Sequence, residues 1–276
     1  MIRDIRDCVR LQNGVEMPWL GLGLWRTRAG EELERAVGWA LEAGYRSFDT
    51  ASIYANEESL GAALRASGLP REELFVTTKL WCADEGFEPA LRAFDESLAR
   101  LGLDQVDLYL IHWPRKETMI ETWRALERVH REGRARAIGV SNFLVHHLEA
   151  LLARCEIAPM VDQVELHPRL VQPELRAFCK TRGIQLEAWA PLMKGRLDSV
   201  PELAAIARRY GKTPAQLALR WALQRGVVAI PKSVHRERIR ENARIFDVEI
   251  SPEDMAALGA LDRGERVGPH PDHFVF

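Results

Sequence analysis

The sequence predicts a (β/α)8 TIM barrel, opened by an N-terminal β-hairpin and ended by extra C-terminal helices. Three observations carry this. Eight short apolar runs alternate with longer segments of helical period. The runs are apolar at consecutive residues, as strands of a parallel sheet buried on both faces are. Eight such units fit the ~250 residues typical of that barrel. An open doubly wound sheet is the runner-up. Its nucleotide-binding form wants G-x-G-x-x-G, whereas Gly21-Leu22-Gly23 is followed by Leu24-Trp25-Arg26, with no third glycine.

In chain order, Asn13-Gly14 between short apolar flanks predicts the hairpin over 9–17, since Asn-Gly supplies positive φ. Strands are expected at 19–24, 45–49, 74–79, 106–112, 135–140, 161–165, 185–190 and 227–231. Helices are expected at 31–43, 57–67, 88–101, 119–131, 144–153, 173–182 and 214–225, then at 236–245 and 252–260. Leu33, Val37, Ala40 and Leu41 share one face of the first. Gly44, Gly102, Gly133, Gly183 and Gly226 fall where helix C-caps need them. No Pro-, Gly- or Ser-rich linker divides the chain, so residues 1–276 are expected to form one domain.

Composition narrows the function. A chain of 276 residues, 47% hydrophobic, can bury a large core without disulfides or metal. Its 38 Lys and Arg nearly balance 40 Asp and Glu, so nothing points to nucleic acid or a basic partner. No run of about 18 apolar residues predicts a membrane span. The opening residues 1–7 contain acids and no apolar h-region, so no signal peptide is expected. Cys8, Cys82, Cys155 and Cys179 lie far apart, without CxxC or zinc spacing, and read as reduced thiols of a cytoplasmic protein.

Active sites of such barrels lie at the C-terminal strand ends. There the sequence puts Asp49, Lys79 and His112 on three successive strands, with Tyr54 in the loop after Asp49. Each alone has an ordinary structural use, as a helix cap, a snorkelling cation, a core imidazole or a packing ring. Together they form a proton-transfer unit. Tyr, with an unperturbed pKa of ~10, is a poor acid unless a cation favours its anion. Lys79 could supply that charge, Asp49 could orient Lys79, and His112 could hold a substrate oxygen. Trp25, Trp81 and Trp113 follow the same strand ends, either as core or as the walls of an apolar pocket. Lys232, Arg236 and Arg238 surround the start of the helix after the last strand, either a phosphate site or a solvated turn. Eight histidines are present, but His112 lacks ligand partners and His146 and His147 are expected to point apart. No catalytic metal is expected.

Six stretches, in this order, resemble the aldo-keto reductase family over essentially the whole chain. They are Leu20-Gly21-Leu22-Gly23, Gly44-Tyr45-Arg46-Ser47-Phe48-Asp49-Thr50-Ala51 with Tyr54, and Asp107-Leu108-Tyr109-Leu110-Ile111-His112-Trp113-Pro114. Then come Gly139-Val140-Ser141-Asn142-Phe143, Gln163-Val164-Glu165-Leu166-His167-Pro168 and Ile230-Pro231-Lys232-Ser233. The resemblance implies an NADPH-dependent carbonyl reductase with a catalytic tetrad of Asp49, Tyr54, Lys79 and His112, Tyr54 being the general acid. It implies that Ser141, Asn142 and Gln163 meet the nicotinamide carboxamide, an amide needing both donors and acceptors. Trp189 would stack on the nicotinamide, in place of the usual Tyr. Lys232, Ser233 and Arg238 would grip the 2′-phosphate, favouring NADPH over NADH, and Asn242 would meet adenine. Gly23, Leu24, Trp25, Asp49, Pro191, Leu192, Val234 and Glu241 complete the implied cofactor set. Leu24 stands where the family commonly has Thr, so only its backbone could serve. Trp25, Ile53, Tyr54, Trp81, His112 and Trp113, with Phe274 from the tail, would form the substrate pocket.

Short loops and the ending 266–272 resemble compact bacterial members acting on glyoxal and methylglyoxal, so small aldehydes and α-dicarbonyls are the expected substrates. Sugar ketones such as 2,5-diketo-gluconate are the alternative, and a non-catalytic nucleotide-binding subunit a remote one. No heptad or exposed apolar helix predicts assembly, so a monomer is expected.

Overall fold

The structure, a computed structural model, describes residues 2–274. Strands β1 (Cys8–Arg10) and β2 (Glu16–Pro18) pair antiparallel, Val9 opposite Met17, and Gly14 in the loop has φ 89°. Gln12 and Asn13 donate to the carbonyls of Pro159 and Arg136 at 3.0 and 2.9 Å, fastening the hairpin across one end of the sheet.

Eight parallel strands follow: β3 (Gly21–Gly23), β4 (Ser47–Asp49), β5 (Phe75–Leu80), β6 (Val106–Ile111), β7 (Ala135–Ser141), β8 (Val161–Glu165), β9 (Gln185–Trp189) and β10 (Val228–Ala229). They pair in chain order. A parallel bridge between Leu20 and Ala229, with Gly23 N donating to Pro231 O at 3.1 Å, closes the ring. Gly23 is required by that closure, because a Cβ there would lie 2.9 Å from Ile230 O.

The helices are α1 (Glu31–Glu42), α2 (Glu57–Ala66), α3 (Phe87–Leu101), α4 (Met119–Arg131), α5 (Val145–Leu152), α6 (Pro173–Thr181), α7 (Pro201–Arg209), α8 (Pro214–Gln224), α9 (Arg236–Ala243) and α10 (Pro252–Gly259). α1 buries an apolar stripe of Leu33, Ala36, Val37 and Ala40, whereas α10 buries only Leu258. The start of α8 is set by a capping box, Thr213 accepting from Gln216 N while Gln216 accepts from Thr213 N. The five expected C-cap glycines all have positive φ.

Two expectations need correction. Sequence reading passes over α7, whose pattern of Leu203, Ile206 and Ala207 is only nine residues long and follows no strand directly. The extra helices are therefore not all C-terminal: α7 lies between β9 and β10, and α10, with a single turn at Pro271–His273, forms the C-terminal addition. The seam strands β3 and β10 are also shorter than their apolar runs, because only an isolated bridge joins them.

Candidate active site

The C-terminal strand ends surround a cavity of about 1000 Å3. Asp49 ends β4, and Lys79 points inward one residue before the end of β5. Lys79 is wholly buried; its ammonium donates to Asp49 Oδ1 at 2.6 Å and to Thr50 O at 2.9 Å. Tyr54 sits on a single helical turn, Ser52–Tyr54, stopped by Ala55 at φ 53°. That turn is anchored by Ser52 Oγ donating to Lys79 O, and by Asn56 donating to the carbonyls of Leu24 and Thr27. The ammonium of Lys79 lies 5.2 Å from the Tyr54 ring centroid. His112 follows β6, and its Nε2 is 3.4 Å from Tyr54 Oη. All four predicted tetrad residues thus meet at one point.

Electrostatics give three of them a state. Burial pulls Lys79 down, but Asp49, Tyr54 and Glu187 outweigh it, so its pKa is raised and the ammonium is charged. Burial, with Lys79 adding to it, holds His112 well below the usual range, so the imidazole is neutral. His112 Nδ1 has no hydrogen-bond partner among the described residues. A lone pair there is the milder orphan, so the hydrogen sits on Nε2, facing Tyr54. Burial raises Tyr54, and Lys79 opposes this only in part. The sequence expectation that Lys79 makes Tyr54 a stronger acid holds for that contact alone; in the unliganded protein burial wins.

The substrate end is aromatic. Trp81 meets His112 edge-on at 5.2 Å, and Phe274 stacks on Trp113 at 4.1 Å. Trp25 and Ile53 are exposed at the rim. The other end is cationic and polar, lined by Lys232, Ser233, Val234, Arg238, Glu241 and Asn242. Arg236 instead pairs outward with Glu42 at 3.0 Å and leaves the group. Lys232 and Arg238 can hold a phosphate, and Ser141, Asn142 and Gln163 can hold an amide between the two ends. Gly23, Trp189, Pro191 and Leu192 also line the cavity. Leu24 is a correction: its side chain is wholly buried in the core. Its N–H donates to Asp49 O and its carbonyl accepts from Asn56, so no backbone group is left over.

Sequence reading missed Lys194, whose ammonium lies 4.8 Å from the Trp25 ring and 5.8 Å from the Trp189 ring. Ala190, Met193 and Lys194 all have positive φ, strain concentrated in a loop over the cleft. The Lys194-Gly195 pair at a turn was the available signal.

The tail is pinned over the site. Glu165 accepts from Val267 N and Gly268 N at 2.5 and 3.2 Å, and Lys194 donates to Val267 O. His146 and His147 do not point apart: their rings are 4.0 Å from each other, and each Nε2 lies 3.0–3.2 Å from Asp272 Oδ1. Both residues fall in the first turn of α5, where Leu144 N donates to His147 Nδ1 and turns that ring toward the tail. The hydrogen of His147 is therefore on Nε2 and bonds Asp272. A metal ligand would need the reverse tautomer. All four cysteines are free thiols, and no helix among the described residues is long and apolar enough to cross a membrane.

Comparison with known proteins agrees with this geometry. Residues 19–263 match the model of the aldo/keto reductase family. The chain is 56% identical to a glyoxal reductase of Bacillus subtilis strain 168 over 276 residues, covering all of both chains. Among solved structures, an aldo-keto reductase enzyme from a Medee basin deep-sea metagenome library superposes with a TM-score of 0.95 at 46% identity, covering 97% of this chain and 100% of that one. The Bombyx mori aldo-keto reductase in complex with NADP superposes with a TM-score of 0.89 at 37% identity, covering 96% and 95%.

Proposed function

This chain belongs to the aldo/keto reductase family, and from that premise we propose that it reduces small aldehydes and α-dicarbonyls such as glyoxal and methylglyoxal with NADPH. The observation that carries the reading is the convergence of Tyr54 Oη and His112 Nε2, 3.4 Å apart, beneath an aromatic rim. Bound in the cleft, NADPH would supply a hydride. Its 2′-phosphate would meet Lys232, Ser233 and Arg238, its carboxamide Ser141, Asn142 and Gln163, and its nicotinamide Trp189. The two cations at one end of the cavity and the polar trio midway along it support that fit.

The residues then divide the work. His112 Nε2–H and Tyr54 O–H both bond the substrate carbonyl oxygen and set its position. Tyr54 gives its proton to that oxygen as charge develops on it. Lys79 stabilises the tyrosinate left behind, and Asp49 holds Lys79 against the floor. Trp81, Trp113 and Phe274 exclude water and leave room for a short carbonyl compound rather than a long one. A sugar ketone would want polar partners, and this rim offers few.

The test mixes purified protein with NADPH and methylglyoxal and follows loss of NADPH absorbance. Tyr54→Phe should lose ~10²–10⁴-fold in turnover while quenching of Trp fluorescence by NADPH stays nearly unchanged. Equal turnover in that variant would sink the assignment. Faster turnover of 2,5-diketo-gluconate than of methylglyoxal would replace the substrate class.

A further inference from the structure

Glu187 has no place in the proposed reaction. It is 1% exposed in β9, pointing into the barrel, and does not line the cavity. Its register partner on β8 is Gln163. The Gln163 amide nitrogen donates to Glu187 Oε2 and to Asp49 Oδ2, 2.7 Å each. An amide nitrogen has two hydrogens, so both point down into the barrel. Only the carbonyl oxygen of Gln163 can face the mouth.

The neighbours follow the same rule. Ser141 Oγ donates to Gln163 O at 2.8 Å. Asn142 Nδ2 donates to His112 O and Ser141 Oγ, at 2.9 and 3.1 Å. The Trp189 indole N–H donates to Asn142 Oδ1 at 2.8 Å and fixes that amide too. Every donor of the trio is committed to the protein, and what remains toward the cleft is acceptors. This departs from the sequence expectation of a mixed set.

We propose that Glu187 is a positioning residue: with Asp49 it locks the Gln163 amide oxygen-outward, so that the site reads the NH2 of the nicotinamide carboxamide. This rests on the NADPH reading above. A buried carboxyl with one oxygen unpartnered is costly, and an apolar residue would pack there more cheaply. Burial raises the Glu187 pKa to about 8, so the group is largely neutral at pH 7, and a neutral carboxyl still accepts through its carbonyl oxygen. Asp49 gives its other oxygen to Lys79, so one carboxylate ties the amide reader to the tetrad.

The experiment compares dissociation constants of NADP+ and of its 3-acetylpyridine analogue, in which a methyl group replaces the NH2, by calorimetric titration. The parent should prefer NADP+ roughly five- to ten-fold, the value of one hydrogen bond. Glu187→Gln, which keeps an acceptor, should retain that preference. Glu187→Met, close in volume but apolar, should lose most of it. If Glu187→Met does not fold, Glu187→Leu provides the same reading. Parent protein that binds both nucleotides equally, or a folded Met or Leu variant with the full preference, overturns the proposal. Folded parent that binds neither nucleotide overturns instead the reading on which it rests.

Discussion

Lys79→Met separates the structural from the chemical use of one buried charge pair. Lys79 and Asp49 are 2.6 Å apart, with side-chain exposures of 0% and 4%. Removing Lys79 strands the Asp49 carboxylate inside the barrel, which costs about 3–5 kcal/mol. For a chain this long each kcal/mol moves Tm by about 2–4 °C, so a drop of roughly 6–20 °C is expected by circular dichroism. The double variant Asp49→Asn/Lys79→Met leaves no lone charge and should recover most of that loss, since paired sites are not additive. Turnover should not recover. Tyr54 would have lost the cation opposing its burial, and both variants should reduce methylglyoxal ~10²–10⁴-fold more slowly than the parent. A single variant that melts within about 2 °C of the parent would refute the buried pair. A double variant that turns over normally would refute the role of Lys79.

Other outcomes follow from particular contacts. Arg238→Ala should weaken NADPH binding by roughly 10–100-fold, the value of a charge-assisted contact, and leave NADH affinity unchanged in fluorescence titrations. Asp272→Ala frees the tail from His146 and His147; KM for methylglyoxal should rise by roughly three- to ten-fold while the NADPH dissociation constant stays put. Gly61→Ala would bring a Cβ within 1.9 Å of Leu101 O on α3. Despite the better helix propensity of Ala, the variant should lose about 1–3 kcal/mol in urea unfolding.

The sequence carried the barrel because a parallel strand buried on both faces leaves a run that needs no context. It carried Asp49 and His112 because each is the polar residue at which such a run stops. What sits behind the mouth was not legible. Glu187 lies inside a run that reads as strand, and its meeting with Gln163 and Asp49 depends on the register of neighbouring strands, which periodicity does not encode. Leu24 could serve only through its backbone, and which partners take that N–H and carbonyl, here Asp49, Thr27 and Asn56, is set by the fold and not by spacing. The turn of His147 toward Asp272 depends on a single capping contact at Leu144, below the reach of spacing arguments. For Tyr54, residue types named the opposing effects, and only burial decided between them.

That decision fixes how the rate should depend on pH. Tyr54 is raised by burial and His112 held well below its usual range, so neither changes state between about pH 6 and pH 8. Glu187 does, near pH 8, pushed up first by burial and then by Asp49. On folding its pKa rises from 4.5 to about 8, so between these limits the folded state binds more protons than the unfolded one. Stability contributed by the neutral carboxyl is therefore lost as pH rises through this window. Above pH 8 the ionised carboxylate also attracts Lys79 and competes with the tyrosinate that forms when Tyr54 gives up its proton. Reduction should run level through neutrality and fall on the alkaline side. Glu187→Gln cannot ionise, so its profile should stay level past pH 8, and its Tm should gain on the parent as pH rises from about 5 to 8. Turnover measured against pH for both proteins decides this. A parallel alkaline fall in the two would assign that limb to another group and remove Glu187 from the proton balance of the site.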